Sequence, residues 1–323
     1  MYSSDPAAVG AATGSDRTTS KDRTERASSY RFPPVGETPL RPLPRFVADV
    51  GGRFDLAVKL EFLNPTGSVK DRAAANIVRT AIAKGELGAR RTLVDASSGN
   101  TGVAYAMLGA RLGFPVELCL PQNAHPERVT RIRSFGATVI FTDPLEGTDG
   151  AQREARRRAA AEPDRYFYPD QYNNPANPEA HYRTTGPEIW RDAAGEITHF
   201  VAGVGTGGTI SGTGRFLKER RATIQVVGVE PSGPIHGLEG LKHLPTAIRP
   251  STYDARFVDR TIRVETEDAV STRQRLFNRE GLVVGNSAAA ALFASLEIGR
   301  EVPGARIVAI APDAGHVSPR EEP

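Results

Sequence analysis

Three short stretches carry residue types that can do chemistry. The first is Leu-Asn-Pro-Thr-Gly-Ser-Val-Lys-Asp-Arg, residues 63–72. The apolar run Leu56, Ala57, Val58, Lys59, Leu60 leads into it; Asn64-Pro65 and Gly67 then break the run into a loop, and helix-forming sequence follows from Ala73. Lys70 thus stands where a loop leaving a strand enters a helix, a frequent place for reactive groups in α/β folds. Taken alone, a lysine is usually a solvated surface charge. The chemical alternative is a Schiff-base amine, which must shed its proton through burial or a neighbouring cation, and Arg72 is a candidate cation. That alternative requires an aldehyde cofactor site elsewhere in the chain.

The second stretch, Ser97-Ser98-Gly99-Asn100-Thr101-Gly102, follows a strand pattern and opens a helix. Helix N-terminal amides with added hydroxyls make an anion pocket whose small residues suit a carboxylate; the plainer reading is a Ser/Asn helix cap. The third, Gly205-Thr206-Gly207-Gly208-Thr209, has the same strand–loop–helix setting and the composition of a phosphate cradle. It lacks the Gly-Lys-Ser/Thr of a nucleotide-triphosphate loop. Gly203-x-Gly205-x-x-Gly208 formally matches a dinucleotide fingerprint, but the acidic residue after the next strand, Glu230, runs straight into Pro231, which argues against that reading. Gln171, before an Asn/Pro-rich turn, faces a ligand or caps the turn. Ser287, after Gly285-Asn286, is by local pattern a helix cap.

These loops need a frame, and the chain supplies one. From residue 73 to 232 helical and strand patterns alternate: helices at 73–84, 100–112, 126–135, 151–161, 179–191 and 210–219, and strands at 91–96, 115–120, 137–141, 166–168, 198–202 and 224–229. Further helices at 266–281 and 287–299 and a strand at 306–311 repeat the scheme. Several strands are continuous aliphatic runs, the mark of a parallel sheet covered on both faces. The fold class expected is α/β, with two three-layer αβα lobes and mainly parallel sheets. The Asn173-to-Pro178 punctuation places the boundary there, giving a disordered tail at 1–29, lobes at 30–172 and 173–318, and a tail at 319–323.

Bulk properties narrow the function. The 323 residues carry a net charge of +3, with 39% hydrophobic and 24% charged residues, an ordinary soluble composition. Arg156, Arg157 and Arg158 point in different directions on a helix, so no nucleic-acid patch is expected. A single cysteine, Cys119, sits in an apolar strand pattern and is read as core; it excludes an internal disulfide and a cysteine metal cluster. The six histidines show no ligand spacing, so no metal is expected. Neither a membrane span nor a signal peptide is visible, which makes the cytoplasm the default location.

Taken together, the stretches resemble the β-family of pyridoxal-phosphate enzymes, fold type II, of the tryptophan synthase β kind. Similarity is greatest to the cysteine synthases (O-acetylserine or O-phosphoserine sulfhydrylases), with cystathionine β-synthase nearby, and runs from Gly36 to about Gly315. The resemblance implies pyridoxal 5'-phosphate as cofactor. It matches Lys70 to the Schiff-base lysine, Asn100 to the residue at the pyridoxal 3'-oxygen, Gly205, Thr206, Gly207, Gly208 and Thr209 to the phosphate loop, and Ser287 to the hydroxyl at the pyridine nitrogen. It assigns Ser97, Ser98, Gly99, Thr101 and Gln171 to the substrate carboxylate. It implies β-replacement on an activated serine by sulfide or another sulfur donor, through an aminoacrylate, to give L-cysteine, in a homodimer. Phosphoserine-using relatives place an arginine in the loop matching 230–243; here Lys242 and His243 are the available cations, and Lys242 is expected to face the leaving group. The alternatives weighed are a dehydratase-like or cystathionine β-synthase-like lyase, and a fold kept as an interaction module. Departures from the pattern are Glu37 for Asn, Ala288-Ala289 for Ser/Thr-Gly, and His316-Val317-Ser318-Pro319 in place of Tyr-Leu-Ser, which leave lid behaviour and dimer packing open.

Overall fold

The computed structural model describes residues 32–97 and 99–315, so the expectations for the two tails and for Ser98 lie outside the described residues. In chain order the strands are β1 (Leu40–Pro42), β2 (Asp55–Leu60), β3 (Thr92–Ala96), β4 (Val116–Pro121), β5 (Thr138–Thr142), β6 (Tyr166–Phe167), β7 (His199–Gly203), β8 (Gln225–Pro231), β9 (Arg260–Val264) and β10 (Arg306–Ala311). The helices are α1 (Pro44–Ala48), α2 (Lys70–Ala83), α3 (Asn100–Leu112), α4 (Pro126–Ser134), α5 (Gly147–Ala161), α6 (Ala176–Arg183), α7 (Thr185–Asp192), α8 (Gly208–Arg220), α9 (Thr266–Glu280) and α10 (Asn286–Glu301).

The strands form two sheets. One has the order β1-β2-β10-β7-β8-β9, parallel except for the β1–β2 pair; the other, β5-β4-β3-β6, is wholly parallel. Each is covered on both faces. Leu56, Val201 and Ile307 pack with α10 on one side of the larger sheet, while Phe200, Val226 and Ile310 pack with α7 and α8 on the other. Leu93 and Leu118 face α2–α4, and Val94 and Cys119 face α5. This is the two-lobe, three-layer arrangement expected from unbroken aliphatic strands.

Three details differ from the sequence reading. The division between sheets does not follow a cut at 172/173: β1 and β2 belong to the larger sheet, so the chain starts in that sheet, builds the smaller one, and returns. Hydrophobic pattern locates strands but does not name their partners. The helix expected at 179–191 is two helices broken at Thr184 (φ −126°, ψ −67°). Pro187 lacks the N–H that would continue the first helix, and the Thr184 hydroxyl bonds back to Ala180 O at 2.7 Å. The edge strand β9 and the three-residue β1 were not foreseen, being short and half-exposed.

Candidate active site

Three parallel strands, β3, β7 and β10, end on one cavity of about 470 Å³, where Ala96, Gly203 and Ile310 form part of its wall. Ligands in open α/β sheets bind beyond these carboxyl ends. Most residues singled out from sequence meet here: Lys70, Ser97, Gly99, Asn100, Thr101, Gln171, Gly205, Thr206, Gly207, Thr209, Lys242 and Ser287 line the cavity, whereas Gly208, the first residue of α8, does not.

Lys70 is the first residue of α2, half-buried at the cavity wall. The loop before it is braced on all sides. Asn64 Nδ2 donates to Glu61 Oε2 at 2.8 Å, Thr66 N–H donates to Asp71 Oδ2 at 2.7 Å, and Arg131 Nη2 donates to Thr66 O at 2.7 Å. Val69 N–H donates to Pro312 O at 2.8 Å, which ties the loop to the end of β10. Burial lowers the pKa of the Lys70 amine, and the Asp313 carboxylate opposes that fall. The expectation that Arg72 depresses it is corrected. Arg72 is locked by Glu61 (Nε–Oε2 2.6 Å) and Glu188 (Nη1–Oε1 2.7 Å), so its charge is answered locally. Desolvation is what lowers the amine's proton affinity.

The 97–102 loop opens α3 without a side-chain cap at Gly99. Ser97 Oγ instead accepts from Gly102 N at 3.0 Å, inside the first turn. Thr101 Oγ1 donates to Gln171 Oε1 at 2.9 Å in a buried contact that joins Gln171 to this loop. Asn100 Nδ2 donates to Asp313 Oδ2 at 2.9 Å.

The 205–209 loop opens α8. Its N-cap, Gly207, has φ +83° and no side-chain cap; a Cβ there would lie 2.5 Å from Tyr253 Cβ, so only glycine fits. The N–H groups of the first turn have no helical carbonyl to serve them and point, with the helix dipole, at an anion position. Asn177 Nδ2 donates to Gln171 O (2.8 Å) and to Thr206 Oγ1 (3.1 Å), fastening this loop to the Gln171 turn. The Thr209 hydroxyl lies 3.3 Å from His181 Nε2, and burial, with Arg72 and Lys70 nearby, drives His181 well below its ordinary pKa, leaving it neutral. The glycine turn, the uncapped helix start, an amine with a lowered pKa and a buried hydroxyl at Ser287 form the donor set that pyridoxal phosphate requires. The residues present fit the group.

One further expectation shifts. His243 does not line the cavity; its ring pairs with the Thr246 hydroxyl at 2.9 Å, leaving Lys242, whose amine lies 4.9 Å from the Tyr172 ring centre. Ala288 and Ala289, which replace Ser/Thr-Gly, are fully buried in the core, and Glu37 adopts φ +51°, the conformation that the family's Asn tolerates well. Sequence reasoning missed Asp313, Asn177 and the Arg128–Glu239 ion pair at the cavity mouth. For Asp313 a signal existed: a carboxylate two residues past a buried parallel strand stands where ligands bind. The Arg128–Glu239 pair, between residues far apart in sequence, had none.

Comparison with known proteins agrees. The model of the family described as pyridoxal-phosphate dependent enzyme matches residues 31–313. A cysteine synthase of Aquifex aeolicus is 49% identical over 286 residues, covering 87% of this chain and 88% of that protein. Cysteine synthase B of Salmonella typhimurium is 41% identical, covering 87% and 91%. The crystal structure of a cysteine synthase (OASS) from Entamoeba histolytica superposes with a TM-score of 0.83 at 31% identity, covering 96% of this chain and 91% of that one. With a family model spanning almost all of the described residues and relatives matched over most of their own length, this chain belongs to the pyridoxal-phosphate dependent enzyme family.

Proposed function

We propose that the protein is a cysteine synthase, replacing the β-substituent of O-acetylserine or O-phosphoserine with sulfide or another sulfur donor to give L-cysteine. The observation that carries the reading is the convergence of Lys70, the 97–101 loop and the 205–209 loop on one cavity, in a chain whose curated relatives are cysteine synthases. Lys70 would hold pyridoxal phosphate through its amine, Gly205 to Thr209 its phosphate, Asn100 its 3'-oxygen and Ser287 its pyridine nitrogen. Bound there, the cofactor supplies an electron sink for charge developing at the substrate α-carbon.

The chain's own residues supply the rest. Amides and hydroxyls of the 97–101 loop, anchored through Thr101 to Gln171, take the substrate carboxylate and orient its α-carbon toward Lys70. The Lys70 amine, its pKa lowered by burial, removes the α-proton and later returns it. Lys242, which lines the same cavity, would meet an anionic leaving group. Arg128 and Glu239, both lining the cavity, form an ion pair at its exposed side. Among the described residues no helix is long and apolar enough to cross a membrane. We place the enzyme in the cytoplasm as a homodimer.

The reading is tested by incubating cofactor-loaded protein with each activated serine, with and without sulfide, and identifying the products. Cysteine that requires sulfide supports it. Pyruvate formed at the same rate in both cases marks an eliminase instead.

A further inference from the structure

Asp313 has no part in the reading above, yet it is held more firmly than a surface carboxylate. It stands two residues beyond β10. Its carbonyl accepts from Gly285 N at 3.2 Å, and it forms an antiparallel bridge with Ser68, two residues before Lys70. A Cβ at position 285 would lie 2.3 Å from Asp313 Oδ1, so glycine there lets the carboxylate approach. The loops of Lys70 and Ser287 thus grip one residue between them. An ionised carboxylate only accepts hydrogen bonds, so Asn100 must present its NH2 group to Asp313 Oδ2, and this fixes which way the amide faces.

We propose that Asp313 is the positioning residue of this site: one carboxylate, bridged to Ser68 two residues before Lys70, sets the orientation of the Asn100 amide and lends its negative charge to the Lys70 side of the shared cavity. The proposal rests on the reading of Lys70 as the cofactor-binding amine. Other charged groups are accounted for. Arg128 of α4 and Glu239 of the loop after β8 act on Asp313 with opposite signs, and His181 of α6, which feels Lys70, is neutral. Burial raises the pKa of Asp313 and Lys70 lowers it; burial lowers the pKa of Lys70 and Asp313 raises it. Each offsets the other's desolvation.

The chain contains six lysines, at positions 21, 59, 70, 84, 218 and 242, few enough for each to be followed by NMR after labelling with ε-¹³C-lysine. The titration is run on cofactor-free protein, with the Lys70 signal assigned by its absence in Lys70→Ala. In Asp313→Asn, which keeps shape and an acceptor for Asn100 but removes the charge, the Lys70 midpoint falls by about one pH unit while the other lysines stay in place. Asp313→Ser shows the same fall. A Lys70 midpoint that is unchanged or rises in a folded Asp313→Asn variant overturns the proposal, because a purely structural aspartate would alter stability and leave that midpoint alone. Borohydride trapping of pyridoxal phosphate on wild-type protein runs beside it. Attachment to a lysine other than Lys70 overturns the cofactor reading, whereas the Lys70 midpoint shift reports on Asp313 alone.

Discussion

At the scale of single residues the site depends on burial more than on pairing. Lys70 loses proton affinity because the cavity wall dries it, while Arg72, two residues on, is neutralised by Glu61 and Glu188 and contributes little. Lys242 is the residue whose role depends on the substrate. Lys242→Ala is expected to slow O-phosphoserine turnover about tenfold while leaving O-acetylserine nearly unchanged, as paired steady-state assays would show. Asp95, one residue from the end of β3, offers a second check. Burial raises its pKa from 3.8 to about 7, with Asp170 adding to the rise and Arg156 opposing it; its Oδ2 and the Tyr105 hydroxyl are both buried without a partner. A raised folded pKa means the folded state binds the proton more tightly than the unfolded one. Stability is therefore lost as pH climbs from about 3.8 through 7. Asp95→Asn is expected to remove that loss, stabilising the protein at pH 8 by on the order of 3 kcal/mol and changing little at pH 4, as denaturant titrations at the two pH values would measure.

At the scale of elements the chemistry is carried by helix starts. α2, α3, α8 and α10 begin at or beside the cavity, and each begins without a side-chain cap. These starts are legible to within a few residues: the pattern bounds Asn100–Leu112 to the residue, but α2 begins at Lys70 where the pattern gives Ala73, and α8 at Gly208 where it gives Ile210. What was not legible was the bracing behind them. Arg72, Glu61, Thr38, Glu188 and Lys59 form one buried network drawn from β2, α2, α7 and the connecting loops, and a charge in sequence carries no sign of whether it is buried. Arg72→Ala, which leaves Glu61 in the interior without a cation and Glu188 with Lys59 alone, is expected to cost about 3–5 kcal/mol in equilibrium unfolding. In the phosphate loop, Gly207→Ala forces a side chain into a left-handed turn against Tyr253, and cofactor affinity is expected to fall at least tenfold, roughly 1.4 kcal/mol or more, by equilibrium dialysis.

At the scale of the whole molecule the chain weaves through two sheets, which the pattern of aliphatic runs did not disclose. The return of β10 to lie beside β2 bridges Asp313 to Ser68, two residues before Lys70, which itself stands 243 positions before Asp313 in sequence. The same long-range assembly sets the acid limit of the fold. Burial pushes the Glu188 carboxyl up, and hydrogen bonds and charge from Arg72 overcome it, leaving it at about 2. A depressed folded pKa gives stability that is present above 4.5 and lost as pH falls toward 2, so unfolding free energy is expected to drop steeply between pH 4.5 and 2, and less so in Glu188→Gln. Cores and helix starts follow from local pattern; the joining of distant loops into a single cavity follows from topology and is read only in three dimensions.

The central claim is that Lys70 and the glycine loop at 205–209 share one cofactor. It is tested by reducing the purified, pyridoxal-phosphate-loaded protein with borohydride, digesting it, and locating the added mass by mass spectrometry. The account expects the cofactor on the peptide containing Lys70, and no modified peptide from Lys70→Ala. The cofactor fixed to any of the other five lysines, or an unmodified Lys70 in loaded protein, would contradict it.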